Sequence, residues 1–236
     1  VLDGGSNTTF IPNTTLNGLS EGQHNITVYA NDTAGNIGSS GTGIGVAPTM
    51  DWNKTFGGVN NDDPTVLELT SDSGYVFVGG TNSSGAGNYD AWLVKTDSSG
   101  NLIWNKTYGT FNYDYPYSVL KTSDGNYVFA GEISYNAGDA WLAKVNSTSG
   151  DMLWNKTYGT AAGERARWVS ATSDGGFIIA GKQSVNYSDF LLIKTNSTGG
   201  MDWNRTYGGL NYEEASSVLQ TQDGGYIILG YTSSTE

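Results

Sequence analysis

The sequence predicts an all-β protein: a β-propeller-type array of four-stranded antiparallel blades, one per ~50-residue repeat, preceded by a partial Ig-like β-sandwich segment. Three observations predict it. The segment Trp-Asn-Lys-Thr-Tyr-Gly recurs almost verbatim from Trp52, Trp104, Trp154 and Trp203, at spacings of 52, 50 and 49 residues. Asp72, Asp124, Asp174 and Asp223 keep the same step, each opening a Gly-containing turn. Behind each turn runs an apolar stretch, such as Tyr127-Val128-Phe129-Ala130 or Phe177-Ile178-Ile179-Ala180. Motifs that hold register over so long a stretch belong to stacked structural units.

Residues 1–46 lie outside the repeat and form the first predicted domain. His24-Asn25-Ile26-Thr27-Val28-Tyr29-Ala30 alternates, with Ile26, Val28 and Ala30 on one face, as a half-buried strand does. A turn follows at Asn31–Asn36, and the Gly- and Ser-rich stretch Ser39–Thr49 reads as a linker. Two or three strands cannot close a sandwich core, so a partner sequence is expected to complete this one.

Residues 47–236 form the second predicted domain. In its second copy, strands are expected at Ser118–Thr122, Tyr127–Gly131, Ala140–Lys144 and Met152–Thr157, joined by turns at Asp124-Gly125 and Ser149-Gly150. Three full blades and a partial fourth result. Residues 51–56 are expected to be a lone outer strand preceding the first full copy. The array therefore reads as part of a longer series, or as one completed by another polypeptide.

Composition narrows the function classes. Only 14% of residues are charged, whereas Gly contributes 34 and Tyr and Trp contribute 15 and 7. Turn formers and aromatics in that proportion describe half-buried strands. Net charge is −12, and seven of the eleven cations occupy repeat positions: Lys54, Lys106, Lys156, Arg205, Lys95, Lys144 and Lys194. Cations spread around a repeat do not make the clustered patch that a phosphate backbone or an anionic membrane needs. The absence of cysteine excludes disulfides and thiolate metal sites.

Four sets of residues are candidates for chemistry. Asn-x-Ser/Thr sequons stand at Asn7, Asn13, Asn25, Asn31, Asn53, Asn82, Asn105, Asn146, Asn155, Asn186, Asn196 and Asn204, twelve of 22 asparagines. They are expected to carry N-glycans, the competing reading being that Asn and Thr simply suit turns and edge strands. Asp62, Asp114, Glu164 and Glu213 each lie in the loop leading to the next copy, a carboxylate set that would either bind Ca²⁺ or accept local backbone hydrogen bonds. Asp90, Asp139 and Asp189 each stand at the entrance to the third strand, where an Asp usually satisfies local donors. Glu164, Arg165, Arg167 and Trp168 break the repeat's pattern. A salt-bridged surface loop explains them, and an enzyme site would also be sought there. With a single histidine, His24, no cysteine, no phosphate-binding glycine loop and no nucleophile elbow, no catalytic residue is assigned. Repeated Trp and Tyr are expected to pack between blades, with stacking on sugar rings as the other option.

The strings TSDGGFIIAG, TQDGGYIILGYTSS and WNKTYG resemble propeller-like repeats of archaeal, methanogen-type secreted surface-layer and adhesion-type proteins. GLSEGQHNITVYANDTAGNIG resembles the closing strands of Ig-like surface modules. The resemblance covers residues 50–236 for the repeat. It implies a modular, glycosylated, non-enzymatic protein of a cell surface, sheath or filament that contacts copies of itself, other surface proteins or glycans. The alternatives are a carbohydrate-binding propeller and a secreted glycan-active enzyme.

Overall fold

The computed structural model describes residues 22–31, 37–46, 52–134, 138–185 and 187–233. The sequons at Asn7, Asn13 and Asn186 lie outside them. The described residues are all-β, with no helix and hence none long and apolar enough to cross a membrane. The chain divides into two compact units, Val1–Asn53 and Lys54–Glu236.

In the first unit β1 (Gly22–Asn31) pairs antiparallel with β2 (Ile37–Val46), from Gly22 opposite Val46 to Asn31 opposite Ile37. Residues 39–46 are therefore strand, not the linker their composition predicts. Pairing along ten residues of β1 supplies the backbone hydrogen bonds that a Gly- and Ser-rich segment has no intrinsic preference to seek.

The second unit is a repeated array of antiparallel sheets. The first contains β3 (Asp62–Leu69), β4 (Tyr75–Thr81), β5 (Asp90–Thr96) and β6 (Leu102–Tyr108) in chain order. The second contains β7 (Asp114–Lys121), β8 (Tyr127–Ile133), β9 (Asp139–Val145) and β10 (Met152–Tyr158). The third contains β11 (Gly163–Ala171), β12 (Phe177–Ser184), β13 (Ser188–Thr195) and β14 (Met201–Tyr207). The fourth holds the pair β15 (Glu213–Gln220) and β16 (Tyr226–Thr232). The array is open and does not close into a barrel.

Successive sheets pack face to face, and strand alternation decides which residues meet. Val76, Val78 and Leu93 of the first sheet bury against Val119, Phe129 and Trp141 of the second. Val128, Ala130 and Leu142 on the second sheet's other face meet Val169, Phe177 and Ile179 of the third. Ile178, Ala180 and Leu192 then meet Ala215 and Val218 of the fourth. Both faces of the middle sheets are thus core, which is why β8 and β12 read as continuous apolar runs.

The Trp motif fastens one sheet to the next. Trp104 Nε1 donates to the Ser147 carbonyl at 3.1 Å, and its ring covers Gly150 in the turn of the following sheet. The Tyr158 hydroxyl donates to the Gly199 carbonyl at 2.7 Å, beside Trp154 over the same Gly199. These aromatics pack between sheets, as the repeat predicts. A second fastening lies within each full sheet. Lys95, Lys144 and Lys194 reach the turn acids Asp72, Asp124 and Asp174 at 2.7, 2.6 and 2.7 Å.

The first copy of the Trp motif departs from expectation. Residues 52–58 form no strand. In the other copies this segment pairs with β5, β9 or β13, whereas residues 52–58 join no described ladder. Its packing nevertheless follows the repeat, since Phe56 sits 5.5 Å from Phe77 as Tyr108 sits 5.6 Å from Phe129. Side-chain burial is therefore retained where ladder hydrogen bonds are not.

Candidate functional site

The first strand of every sheet carries a β-bulge at the same repeat position. Register shifts fall between Pro64 and Val66, Pro116 and Ser118, Ala166 and Trp168, and Ala215 and Ser217. A bulge leaves one residue unpaired and re-aims its side chain. The four bulged residues are Thr65, Tyr117, Arg167 and Ser216, and all four line one groove of about 580 Å³. A glycine opposite each bulge makes room for it. A Cβ on Gly79, Gly131, Gly181 or Gly230 would run into the backbone of the bulged strand.

Arg167, Glu214, Tyr117, Tyr212 and Tyr231 line the groove, and Arg165, Glu132 and Lys182 stand against these lining residues. Arg165 binds Glu132 through Nε at 2.5 Å and Nη2 at 3.3 Å. Arg167 donates from Nε to Glu214 at 2.6 Å. Both guanidinium groups lie over the Tyr117 ring, 5.4 and 4.6 Å from its centre. Lys182 donates to the Tyr212 hydroxyl at 3.1 Å and stands 3.9 Å from Glu214. Tyr231 lies beside Tyr212, ring centres 6.2 Å apart, and both line the groove. Burial lowers the Lys182 pKa, with Glu214 opposing that shift and Arg165 and Arg167 adding to it. Burial works to raise Glu214, but bonds from Tyr212 and Arg167 hold its carboxyl below the ordinary value.

Of the residues that break the repeat, Arg165, Arg167 and Trp168 belong to this cluster, while Glu164 does not. The sequence signal for the rest was the glycine set Gly79, Gly131, Gly181 and Gly230. A glycine inside a strand marks a bulge or a close backbone approach. The position facing it varies as Thr, Tyr, Arg and Ser within otherwise similar copies.

The repeated carboxylates do other work. Asp62, Asp114, Glu164 and Glu213 accept backbone N–H bonds from Gly58, Thr110, Thr160 and Gly209, each four residues back. Each also reaches the end of its sheet's second strand, taking bonds from Thr81, the Ser134 N–H, Gln183 and Thr232. The four carboxylates are locks between loop and sheet. Among the described residues no three acidic or imidazole groups converge on one point. Asp90, Asp139 and Asp189 face the same loops. Gly109 is held between Asp90 and Asp114, and Gly208 between Asp189 and Glu213, which accounts for the glycine ending the Trp motif. Burial raises the Asp90 and Asp139 carboxyls, with Asp114 and Glu164 adding repulsion.

Among the sequons, Asn53, Asn82, Asn105, Asn155, Asn196 and Asn204 are exposed and Asn146 is half-buried. Asn146 and Asn196 use their side-chain oxygens to cap turns, accepting from Thr148 and Ser149 and from Thr198 and Gly200. Asn25 and Asn31 lie in β1. No known protein family matches this chain, and no curated protein matches it.

Proposed function

We propose that this chain belongs to a non-enzymatic extracellular protein of a cell surface, sheath or filament, built as a β-propeller-type array with an Ig-like segment and acting by contact with other macromolecules. One observation carries the reading. The faces that bury one sheet against the next are left open at both ends of the array, at Leu67 and Leu69 on one side and Ile227 and Leu229 on the other. They are complementary by construction, because each junction within the array joins the same two kinds of face. A second copy docked head to tail would cover both, and the outer edge of β16 offers ladder hydrogen bonds for β-augmentation. Exposed sequons on the outer strands β6, β10 and β14 support export and N-glycosylation.

Sedimentation of the secreted chain tests this. We expect concentration-dependent association that Ile227→Glu or Leu67→Glu abolishes, together with glycan increments in the intact mass. A chain that stays monomeric at high concentration and unmodified would overturn it. A second reading, carbohydrate binding, is favoured by the Tyr- and Arg-lined groove at the four bulges.

A further inference from the structure

We propose that the groove at the four bulges is a binding site for a carboxylated saccharide, with the Arg167 guanidinium taking the carboxylate and the Tyr212 and Tyr231 rings covering a pyranose face. This deepens the carbohydrate-binding reading and rests on it, not on association through the sheet faces.

The charge balance points to a single carboxylate. Arg165, Arg167 and Lys182 face Glu132 and Glu214, so three cations meet two acids and one positive charge is unmatched. These are three of the four cations that hold no repeat position, in a chain of net charge −12. Their convergence comes from the bulge at Arg167 and its neighbours on β11 and β12. A monoanion restores neutrality, whereas a phosphate or sulfate cluster would call for more cations.

The individual donors divide the same way. Both carboxylate oxygens of Glu132 are taken up by Arg165. Arg167 has only its Nε engaged, and among the described residues its Nη groups meet no acceptor. Its side chain remains 37% exposed and lines the groove, so the outer fork of the guanidinium is open to a planar carboxylate. Stacking on Tyr117 and the bond to Glu214 fix the plane of that fork before a ligand arrives, which lowers the ordering cost of binding.

The neutral part of the ligand has its own surface. Tyr212 and Tyr231 present exposed rings to the groove, and Thr65 and Ser216 also line it. A cavity of about 580 Å³ falls within the usual range for small ligands and admits a short saccharide.

Calorimetric titration with a short oligosaccharide bearing one uronic acid, against the same oligomer with that carboxyl reduced to the neutral alcohol, tests the proposal. The acidic oligomer should bind and the reduced one should bind at least about tenfold more weakly, the worth of one charge-assisted pair. Arg167→Gln should abolish that preference. Arg167→Lys should restore it only in part, because an ammonium lacks the fork. Tyr231→Ala, at an exposed ring whose loss leaves the core intact, should weaken both oligomers together. Equal binding of both oligomers with no effect of Arg167→Gln would overturn the carboxylate assignment and leave saccharide binding standing. No binding of either oligomer to a folded protein would overturn the site itself. Neither result bears on self-association, which sedimentation reads separately.

Discussion

The middle of the array and its ends use the same residues to different effect. Ile178 on β12 is fully buried, whereas Ile227, at the same repeat position on β16, is 61% exposed. Ala180 is likewise buried and its counterpart Leu229 is 70% exposed. On the opposite face Val119 and Val169 are buried, and their counterpart Leu67 is 59% exposed. The side chains at the ends are as large and apolar as those inside. The difference is the neighbouring sheet, which only the inner faces have. Repeat chemistry prescribes an interface at every sheet, and stacking decides where it is filled.

Substitutions at equivalent positions should expose that difference most strongly. Ile178→Ala is expected to cost about 2–5 kcal/mol by chemical denaturation, since it removes buried apolar contacts and leaves a cavity. Ile227→Ala should cost less than about 0.5 kcal/mol in dilute solution, as for an exposed site. Equal losses would break the comparison. A loss at Ile227 that grows with protein concentration would sharpen it by showing the end face covered.

The junction carboxylates come next. Asp114→Ala strands the Thr110 N–H beside a buried site and leaves the Ser134 N–H with only the Tyr113 carbonyl, and about 1–3 kcal/mol should be lost. Asp62→Ala at the exposed end should cost less, because Gly58 is exposed and water can reach its N–H. Identical denaturation midpoints for the two variants would show that burial is not what sets the strength of these locks.

A smaller effect is expected at the first turn. Gly125, Gly175 and Gly224 take φ of 81°, 80° and 86°. Ser73 holds the same repeat position in the first sheet, with φ of 62°. An L-residue with a Cβ pays for that conformation, so Ser73→Gly should stabilise the protein by about 1 kcal/mol. A lower melting temperature for Ser73→Gly would contradict it.

The smallest signal should lie in pH dependence. Lys95 and Lys194 hold Asp72 and Asp174 well below the ordinary carboxylate range. Burial works to raise Asp124, but Lys144 and Thr122 hold it low as well. These depressed groups contribute stability above about pH 4, and that contribution is lost as pH falls further. Asp90 and Asp139 are raised, so protonation favours the folded state and stability grows as pH falls toward about 4. Thermal melts should therefore peak in mildly acidic solution. In Asp90→Asn the gain as pH falls toward about 4 should shrink; an unchanged profile would sink the assignment to that carboxylate.

Much of the fold could be read from the chain. The strand and turn pattern of the repeat, the packing role of Trp104 and Trp154, and the apolar runs of β8 and β12 all follow from side-chain periodicity. That periodicity is a local property of an extended backbone. The strand expected at residues 51–56 does not follow, because a strand needs a partner and local sequence does not supply one. Residues 39–46 err the other way: a weak strand former becomes a strand because β1 lies beside it.

The candidate site was half legible. Arg165, Arg167 and Trp168 stood out as a break in the repeat, whereas the bulge signal of the strand glycines Gly79, Gly131, Gly181 and Gly230 became plain only with the strand register. The convergence of Tyr117, Tyr212, Tyr231, Lys182 and Glu214 with them did not show, since these residues come from three sheets and are far apart in sequence.

By itself, the sequence determined an all-β repeat, its four-stranded unit, its apolar faces and its acidic, cysteine-free character. These depend on residue type and spacing alone. Tertiary structure decided which faces are buried, which carboxylates serve as locks, and which side chains the bulges turn into one groove. Each of those outcomes depends on the distance between atoms of different sheets, which stacking sets and periodicity along one strand does not contain.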